Sequence, residues 1–308
     1  LDVNLIERNP KTDPVDDVVA GEAEYGITDA GLLLLRLQGK PVVMMAQIFQ
    51  YSPLVFVSLR ESGIRTPTDL LGKRVMTDDL GFSDASLKAT VLKTLGHLDK
   101  VEWVTHTYRM EDLVEKRVDA MLAYSTNEPF RYKEKDIDVI TIDPRDYGID
   151  FYGDNIFTTE TEIKLHPDRV EKMRRASLKG WKYALEHKDE IIDLIMRKYN
   201  TQKWTREHLQ FEAEQTEKII NPRFFEIGHF EPSRYQKIAG IYTELSIADR
   251  FTVDSGFYYS ATEKRVVLTP EEEKWITNNT VKVGVEQWAP IVFSDLAGNV
   301  QGLAGGFL

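Results

Sequence analysis

The chain contains no cysteine, which excludes disulfides, thiol catalysis and zinc–thiolate sites. It has no run of about 18 apolar residues, and so no transmembrane helix within this segment. Its longest apolar stretches, around Leu32–Leu35 and Pro41–Ala46, are far too short. No charged leader with an apolar centre opens the sequence; Leu1 begins directly in strand-like residues, without an initiator methionine. The segment is therefore expected to be an excised or processed piece of something longer.

Catalytic signatures are missing as well. Gly302, Gly305 and Gly306 are not followed by Lys-Ser or Lys-Thr, so no phosphate-binding loop is formed. There is no Gly-x-Ser-x-Gly elbow. The six histidines fall at no metal-ligand spacing. Acidic neighbours such as Asp16-Asp17, Asp78-Asp79 and Glu271–Glu273 read as solvated faces or helix starts. A formal charge of -11, with no compensating basic block, argues against a nucleic-acid partner. Binding is favoured over catalysis, with no cofactor and no metal implied.

What is present is an ordinary globular composition, 42% apolar and 29% charged over 308 residues. That is enough for two lobes, or for one domain and part of another. Short apolar runs at Pro41–Ile48, Leu54–Leu59, Lys73–Met76, Val101–Val104, Ala120–Ala123 and Asp138–Ile142 read as strands. Helical segments alternate with them, the clearest being Ser83–Leu95. This α/β rhythm predicts parallel strand packing. Leu1–Ile6 reads as a further strand. Tyr147–Thr158, dense in aromatics and aspartates, reads as a loop returning to a sheet already built. From Pro167 onward the pattern is mainly helical.

One stretch concentrates polar chemistry. Ala120–Ala123 is apolar enough to be buried on both faces, and it delivers Tyr124, Ser125, Thr126, Asn127 and Glu128 just before Pro129. Such residues at the carboxyl end of a buried strand are where open α/β sheets hold ligands. They form either a ligand-facing loop with Glu128 as its anchor, or an ordinary strand-to-helix turn with an Asn N-cap. Phe49-Gln50-Tyr51-Ser52-Pro53 is a second candidate ligand edge, or else a hairpin corner set by Pro53.

Ordered segments through the chain resemble the thiamine-pyrimidine-precursor-binding family of type II periplasmic binding proteins. They are Gly-Lys-Pro-Val-Val from Gly39, Ile-Phe-Gln-Tyr-Ser-Pro from Ile48 and Asp-Leu-Leu-Gly-Lys-Arg-Val from Asp69. Val-Asp-Ala-Met from Val118, Tyr-Ser-Thr-Asn-Glu-Pro-Phe from Tyr124, Tyr-Gly-Ile-Asp-Phe-Tyr-Gly-Asp from Tyr147 and Ala-Ser-Leu-Lys-Gly-Trp-Lys-Tyr-Ala-Leu from Ala176 continue the series. The resemblance implies a two-lobe clamshell with a small-molecule ligand in the cleft. Its crossovers are expected near Val75–Asp78 and Asp154–Thr158. Residues 1–75 and 157–260 would form lobe one, and 76–156 lobe two. The family's aminopyrimidine ligands imply ring stacking on Phe49, Tyr51, Tyr124 and Tyr152, and paired hydrogen bonds to Glu128. Asn127, Gln50, Ser52 and Asp154 would supply further polar contacts.

Two departures follow. The chain starts at what would be the family's second strand, so the fold is expected to lack its first strand and helix. The family's pyrimidine-synthesising branch uses a cysteine-rich motif, absent here. Residues 261–280 read as a linker helix, and 281–308 resemble the start of a family-3 extracellular solute-binding domain. That arrangement implies the periplasmic sensor region of a membrane-tethered receptor, such as a histidine kinase or diguanylate cyclase. The alternative is a binding component of a transporter. Val281–Val285 is expected to fill the vacated sheet position, within one chain or by exchange in a homodimer.

Overall fold

Two sheets are built around central strands buried on both faces, and each is covered by helices. In order the strands are β1 (Gly26–Thr28), β2 (Val42–Gln47), β3 (Leu54–Leu59), β4 (Arg74–Thr77), β5 (Glu102–Thr105), β6 (Ala120–Tyr124), β7 (Val139–Ile142) and β8 (Asn155–Thr159). The helices are α1 (Pro14–Ala20), α2 (Gly31–Leu37), α3 (Ala85–Leu95), α4 (Glu111–Val114), α5 (Glu128–Lys133), α6 (Glu160–Leu165), α7 (Pro167–Glu186), α8 (Lys188–Lys198), α9 (Arg206–Ile220) and α10 (Pro232–Glu244). This computed structural model describes residues 3–6, 13–78, 84–249 and 252–260, with 271, 274, 275, 278, 279, 293, 294, 300 and 301 besides. The chain divides after Ser260 into two compact units, 1–260 and 261–308.

The first sheet has the order β1-β8-β2 and is antiparallel throughout. Helix α1 starts where Asp13 accepts a hydrogen bond from the Val15 N–H at 2.7 Å and Pro14 presets the first turn. It stops at Gly21, whose φ of 81° is the left-handed value that glycine adopts without strain. Helix α10 buries Tyr235, Ile238, Ala239 and Tyr242, the i, i+3, i+4, i+7 stripe of a helix lying on a core. That stripe packs with Leu32–Leu35, Val42, Met44 and Phe157 into one cluster.

The second sheet has the order β5-β4-β6-β3-β7. Strand β4 runs parallel to β5 and β6, whereas β3 is antiparallel to β6 and β7. Alternation along β3 sends Leu54 and Phe56 into one cluster with Leu87 and Val91 of α3. Val55 and Val57 enter the other with Leu113, Met121 and Tyr132.

The expected lobe boundary is therefore corrected. The chain leaves the first sheet after β2 and enters the second at β3, so the first crossover is residues 48–53 rather than Val75–Asp78. Strand β3 belongs centrally to the second sheet because both of its faces are apolar, which only an interior strand can bury. The hairpin reading of Phe49–Pro53 falls for the same reason, since β2 and β3 lie in different sheets. Wholly parallel packing is also overturned. Residues 3–6 lie outside any strand, with Leu5 and Ile6 exposed. Tyr147–Thr158 does return to a sheet already begun, ending in β8 between β1 and β2. In the second unit Glu271, Lys274, Trp275 and Asn278 are helical, and Phe293–Ser294 pairs with Val300–Gln301. Val281–Val285 lies outside the described residues.

The two crossovers run side by side. The N–H groups of Ile48 and Phe49 both donate to the Asp154 carbonyl at 3.0 Å, Gly153 N–H donates to Phe49 O, and Ser52 N–H to Phe151 O. A Cβ at Gly153 would sit 2.9 Å from both Phe49 Cβ and the Tyr51 carbonyl oxygen, so the backbones touch where only glycine fits. Gly153→Ala is expected to destabilise the first unit by roughly 1–3 kcal/mol through this overpacking. Urea unfolding measures it, and an unchanged midpoint would show that the crossovers can separate freely.

Candidate functional site

The crossover residues are committed mainly to structure. Gln50 is 1% exposed and donates from Nε2 to His229 O at 2.7 Å. Tyr152 is also 1% exposed; its hydroxyl accepts from Glu231 N–H at 2.8 Å, and its ring tilts against Tyr235 beneath the Arg234 guanidinium. Neither faces a cleft here, contrary to the expectation from resemblance. Burial of aromatic area and pairing of a buried amide decide both cases. Ser52 accepts from Leu54 N–H, a local turn contact. Tyr51 lies between Arg145 and Arg234, with Phe225 edge-on. Phe49 is half-buried and meets Trp181 of α7 edge-on at 5.8 Å.

Asp154 differs from these. Its backbone carbonyl is engaged, but its half-buried carboxylate has no hydrogen-bond partner among the described residues. Burial pushes its pKa up to about 7, and the charge of Asp29 adds to the shift. Asp29 follows β1 and accepts from Gly31 N–H at 2.7 Å. It is raised to about 6 by burial, with further contributions from Asp13 and Asp78. Asp78 follows β4 of the second sheet, so acids from both lobes are within electrostatic reach of one another.

At the carboxyl ends of β5 and β6 a recess of about 360 Å³ opens. Met110 and Met121 are its apolar members, and His106, Tyr108, Asn127, Glu128, Arg131, Gln202 and Trp204 complete its lining. His106 Nδ1 accepts from Tyr108 N–H at 2.9 Å, which places the ring proton on Nε2, 3.1 Å from Leu122 O. Tyr108 adopts a φ of 60°, unusual outside glycine, and its hydroxyl reaches Asp78 at 3.4 Å. The α8–α9 loop is pinned by Asn200, whose side chain accepts from Trp204 N–H and donates to Trp204 O, both at 2.8 Å. Trp204 then stacks on His208 at 4.4 Å, with the Arg131 guanidinium over its ring.

Glu128 opens α5, and its Oε2 accepts from Tyr124 N–H at 2.8 Å. That is the contact expected of a helix-start carboxylate, yet Glu128 also lines the recess, and its Oε1 has no hydrogen bond among the described residues. Asn127 Oδ1 is buried beside it without a partner. Glu212 on α9 lies near enough that Glu128 adds to the upward shift which burial imposes on it. Of the expected residues, Tyr124, Asn127 and Glu128 gather at this edge, with Tyr124 39% exposed. Phe49 and Asp154 lie at the crossovers instead.

Sequence reasoning missed His106, Tyr108, Gln202 and Trp204. The first two follow a strand parallel to β6 and could have been found by the strand-end rule. The α8–α9 loop gave no signal.

The two sheets and their paired crossovers define the fold of periplasmic solute-binding proteins. The structure resembles the alkanesulfonate-binding protein SsuA from Xanthomonas axonopodis pv. citri with a TM-score of 0.63 at 11% identity, covering 80% of this chain and 83% of that one. The chain belongs to the family described as NMT1/THI5 like, whose pattern matches residues 1–191. It is 25% identical over 201 residues to a formylaminopyrimidine-binding protein of Halalkalibacterium halodurans, covering 64% of this chain and 61% of that protein. It is 24% identical over 180 residues to the riboflavin-binding protein RibY of Chloroflexus aurantiacus, covering 58% and 51%. The chain thus spans between half and three fifths of these relatives, both of them named as binding proteins and not as enzymes.

Both raised carboxyls bind protons more tightly in the folded than in the unfolded chain. Their contribution to stability is complete below about pH 4 and is lost as pH rises through about 6 for Asp29 and about 7 for Asp154. Asp154→Asn should therefore melt several degrees above the parent at pH 8 and level with it below pH 5; each kcal/mol is worth about 2–4 °C at this size. Melting curves at the two pH values test this, and equal curves at pH 8 would remove the electrostatic strain assigned to Asp154.

Proposed function

We propose that residues 1–260 are an extracytoplasmic small-molecule-binding module without catalysis of its own. Its ligand is a flat nitrogenous ring of the aminopyrimidine class, held in the recess at the carboxyl ends of β5 and β6. One observation carries the reading: two acceptors, Glu128 Oε1 and Asn127 Oδ1, stand unpartnered at a recess lined by Tyr108 and Trp204. A protonated ring nitrogen beside an exocyclic amine presents the donors such a pair lacks, and an aromatic wall offers the ring a stacking surface. The recess volume lies within the roughly 300–1,000 Å³ of small-molecule sites. The aminopyrimidine in the name of one relative points the same way.

The module serves as the sensor region of a membrane-tethered receptor. The sequence pattern of residues 281–308, resembling the start of a second solute-binding domain, and the separate unit formed after Ser260 favour this. Delivery of the same ligand to a transporter is the second reading, favoured by the relatives named as binding proteins.

A thermal-shift screen of aminopyrimidines on the wild type and on Glu128→Ala tests the site. A ligand at a hundred times its dissociation constant adds about 2.7 kcal/mol, a clear rise in Tm. The rise should be lost in Glu128→Ala. An equal rise in both proteins would remove Glu128 from the site.

A further inference from the structure

The recess carries a positive group that the proposed ring contacts leave unused. Arg131 lines it together with Glu128, which stands one turn earlier on α5. Residues three apart on a helix are neighbours, and a carboxylate and a guanidinium so placed ordinarily pair. These two do not. Glu128 Oε2 is turned back onto the Tyr124 N–H at 2.8 Å, while the Arg131 guanidinium lies over the Trp204 ring, 5.1 Å from its centroid. Arg131 has no ion pair and no side-chain hydrogen bond among the described residues.

The surroundings hold this arrangement in place. Trp204 is fixed by the bonds of its backbone to the Asn200 side chain and by the His208 ring stacked on it at 4.4 Å. Glu134, three residues further along α5, is engaged elsewhere. The Thr205 hydroxyl donates to its Oε1 at 2.8 Å, and His208 Nδ1 lies 3.6 Å from its Oε2. A cation over an aromatic face spends none of its five N–H donors on an acceptor. Gln202, two residues before Trp204, also lines the recess, and its amide makes no hydrogen bond among the described residues. His106 cannot serve in the same way, because its Nδ1 accepts from Tyr108 N–H and its Nε2 proton faces Leu122 O.

We propose that Arg131 and Gln202 hold a carboxylate group carried by the ligand. The planar fork of a guanidinium matches the two oxygens of a carboxylate. A phosphate suits the place less well. It would bring about two negative charges to one unpaired cation, in a recess already bounded by Glu128 and close enough to Glu212 of α9 for the two acids to interact. The ligand is then amphoteric, with donors toward Glu128 and Asn127 and an acid toward Arg131. The donor half of this inference rests on the function proposed above; the acid half does not.

The experiment separates the two halves. Calorimetry on the full chain compares the carboxylate, carboxamide and phosphomethyl forms of one aminopyrimidine. The wild type should hold the carboxylate roughly tenfold or more tighter than the carboxamide. In Arg131→Gln, whose melting curve reports that it is folded, the two affinities should fall within about threefold of each other. Equal affinities in the wild type, or a preference kept in Arg131→Gln, overturn the inference; loss of both ligands in Glu128→Ala would still leave the ring site standing. Tighter binding of the phosphomethyl form overturns the carboxylate as the class. In the wild type, where no substitution intervenes, the carboxylate should shield Arg131 from phenylglyoxal, read by peptide mass. Equal shielding by the carboxamide overturns the assignment of Arg131. Where no pyrimidine binds, benzoate decides, since it has the ring and the acid but no amine edge. A rise in Tm with benzoate and not with benzamide, lost in Arg131→Gln, upholds the acid site and removes the aminopyrimidine reading. No rise with benzoate in that case overturns both.

Discussion

The structure of the first unit turns on one buried amide. Gln47 ends β2 with no exposed area, and its Nε2 donates to the carbonyls of Phe49, Gly153 and Asp154 at 2.8, 3.0 and 3.1 Å. Its Oε1 accepts from the Tyr235 hydroxyl at 2.5 Å. A single side chain thus ties the end of the first sheet to both crossovers and to α10. In so buried a place, removing it would strand the Gly153 carbonyl and the Tyr235 phenol, each an uncompensated desolvation of about 1–3 kcal/mol, and would weaken the contacts to the Phe49 and Asp154 carbonyls. The close approach at Gly153 and the position of Asp154 both follow from the spacing this amide imposes.

Around that fixed hinge the chain distributes acceptors that it does not itself satisfy. Asp154 and Asn155 stand at the end of the first sheet, Glu128 and Asn127 at the edge of the second. Elsewhere some charged groups are fully paired: Arg74 reaches both oxygens of Asp119, and Arg169 both oxygens of Glu162. Acceptors left unpaired at a sheet edge are open to completion by something outside the chain, although Gln50 Oε1, Ser86 Oγ and both ring nitrogens of His208 are also buried without hydrogen-bond partners among the described residues. The unpaired atoms at the sheet edges all accept rather than donate, so whatever completes them must donate.

Much of this was legible because local rules carried it. Asp13-Pro14 with Gly21 bounded α1, Gly96 ended α3, and the apolar run before Tyr124 gave β6 its place and direction. Periodicity does not report which sheet a strand joins. Pro53 between two apolar runs looks the same for a hairpin as for a crossover, and β3 was misplaced on that account. Aromatic residues near a hinge are equally ambiguous: Tyr152 and Gln50 carry the residue types of a binding site, yet packing against Tyr235 and the His229 carbonyl claims them. Gln47 went unnoticed although a glutamine ending Val-Val-Met-Met-Ala is a polar group that burial must pair. The recess needed Trp204 and His106 from segments remote in sequence, and only tertiary structure unites them.

The placement of α9 decides how binding could be communicated. Its first turn is tied to α5, where Thr205 donates to Glu134 at 2.8 Å and Phe211 stacks on Phe130 at 4.9 Å. Its last turn is tied to the crossover, where Tyr51 N–H donates to Ile219 O. The Trp204 wall is thereby anchored to α5, beside Glu128, on the second-sheet side. A ligand in the recess meets the second-sheet lobe at His106, Tyr108 and Glu128 and the α8–α9 loop, which follows the second crossover, at Gln202 and Trp204, so its affinity differs between an open and a closed clamshell. Differential affinity of that kind is the sole means by which a ligand can drive a two-state change.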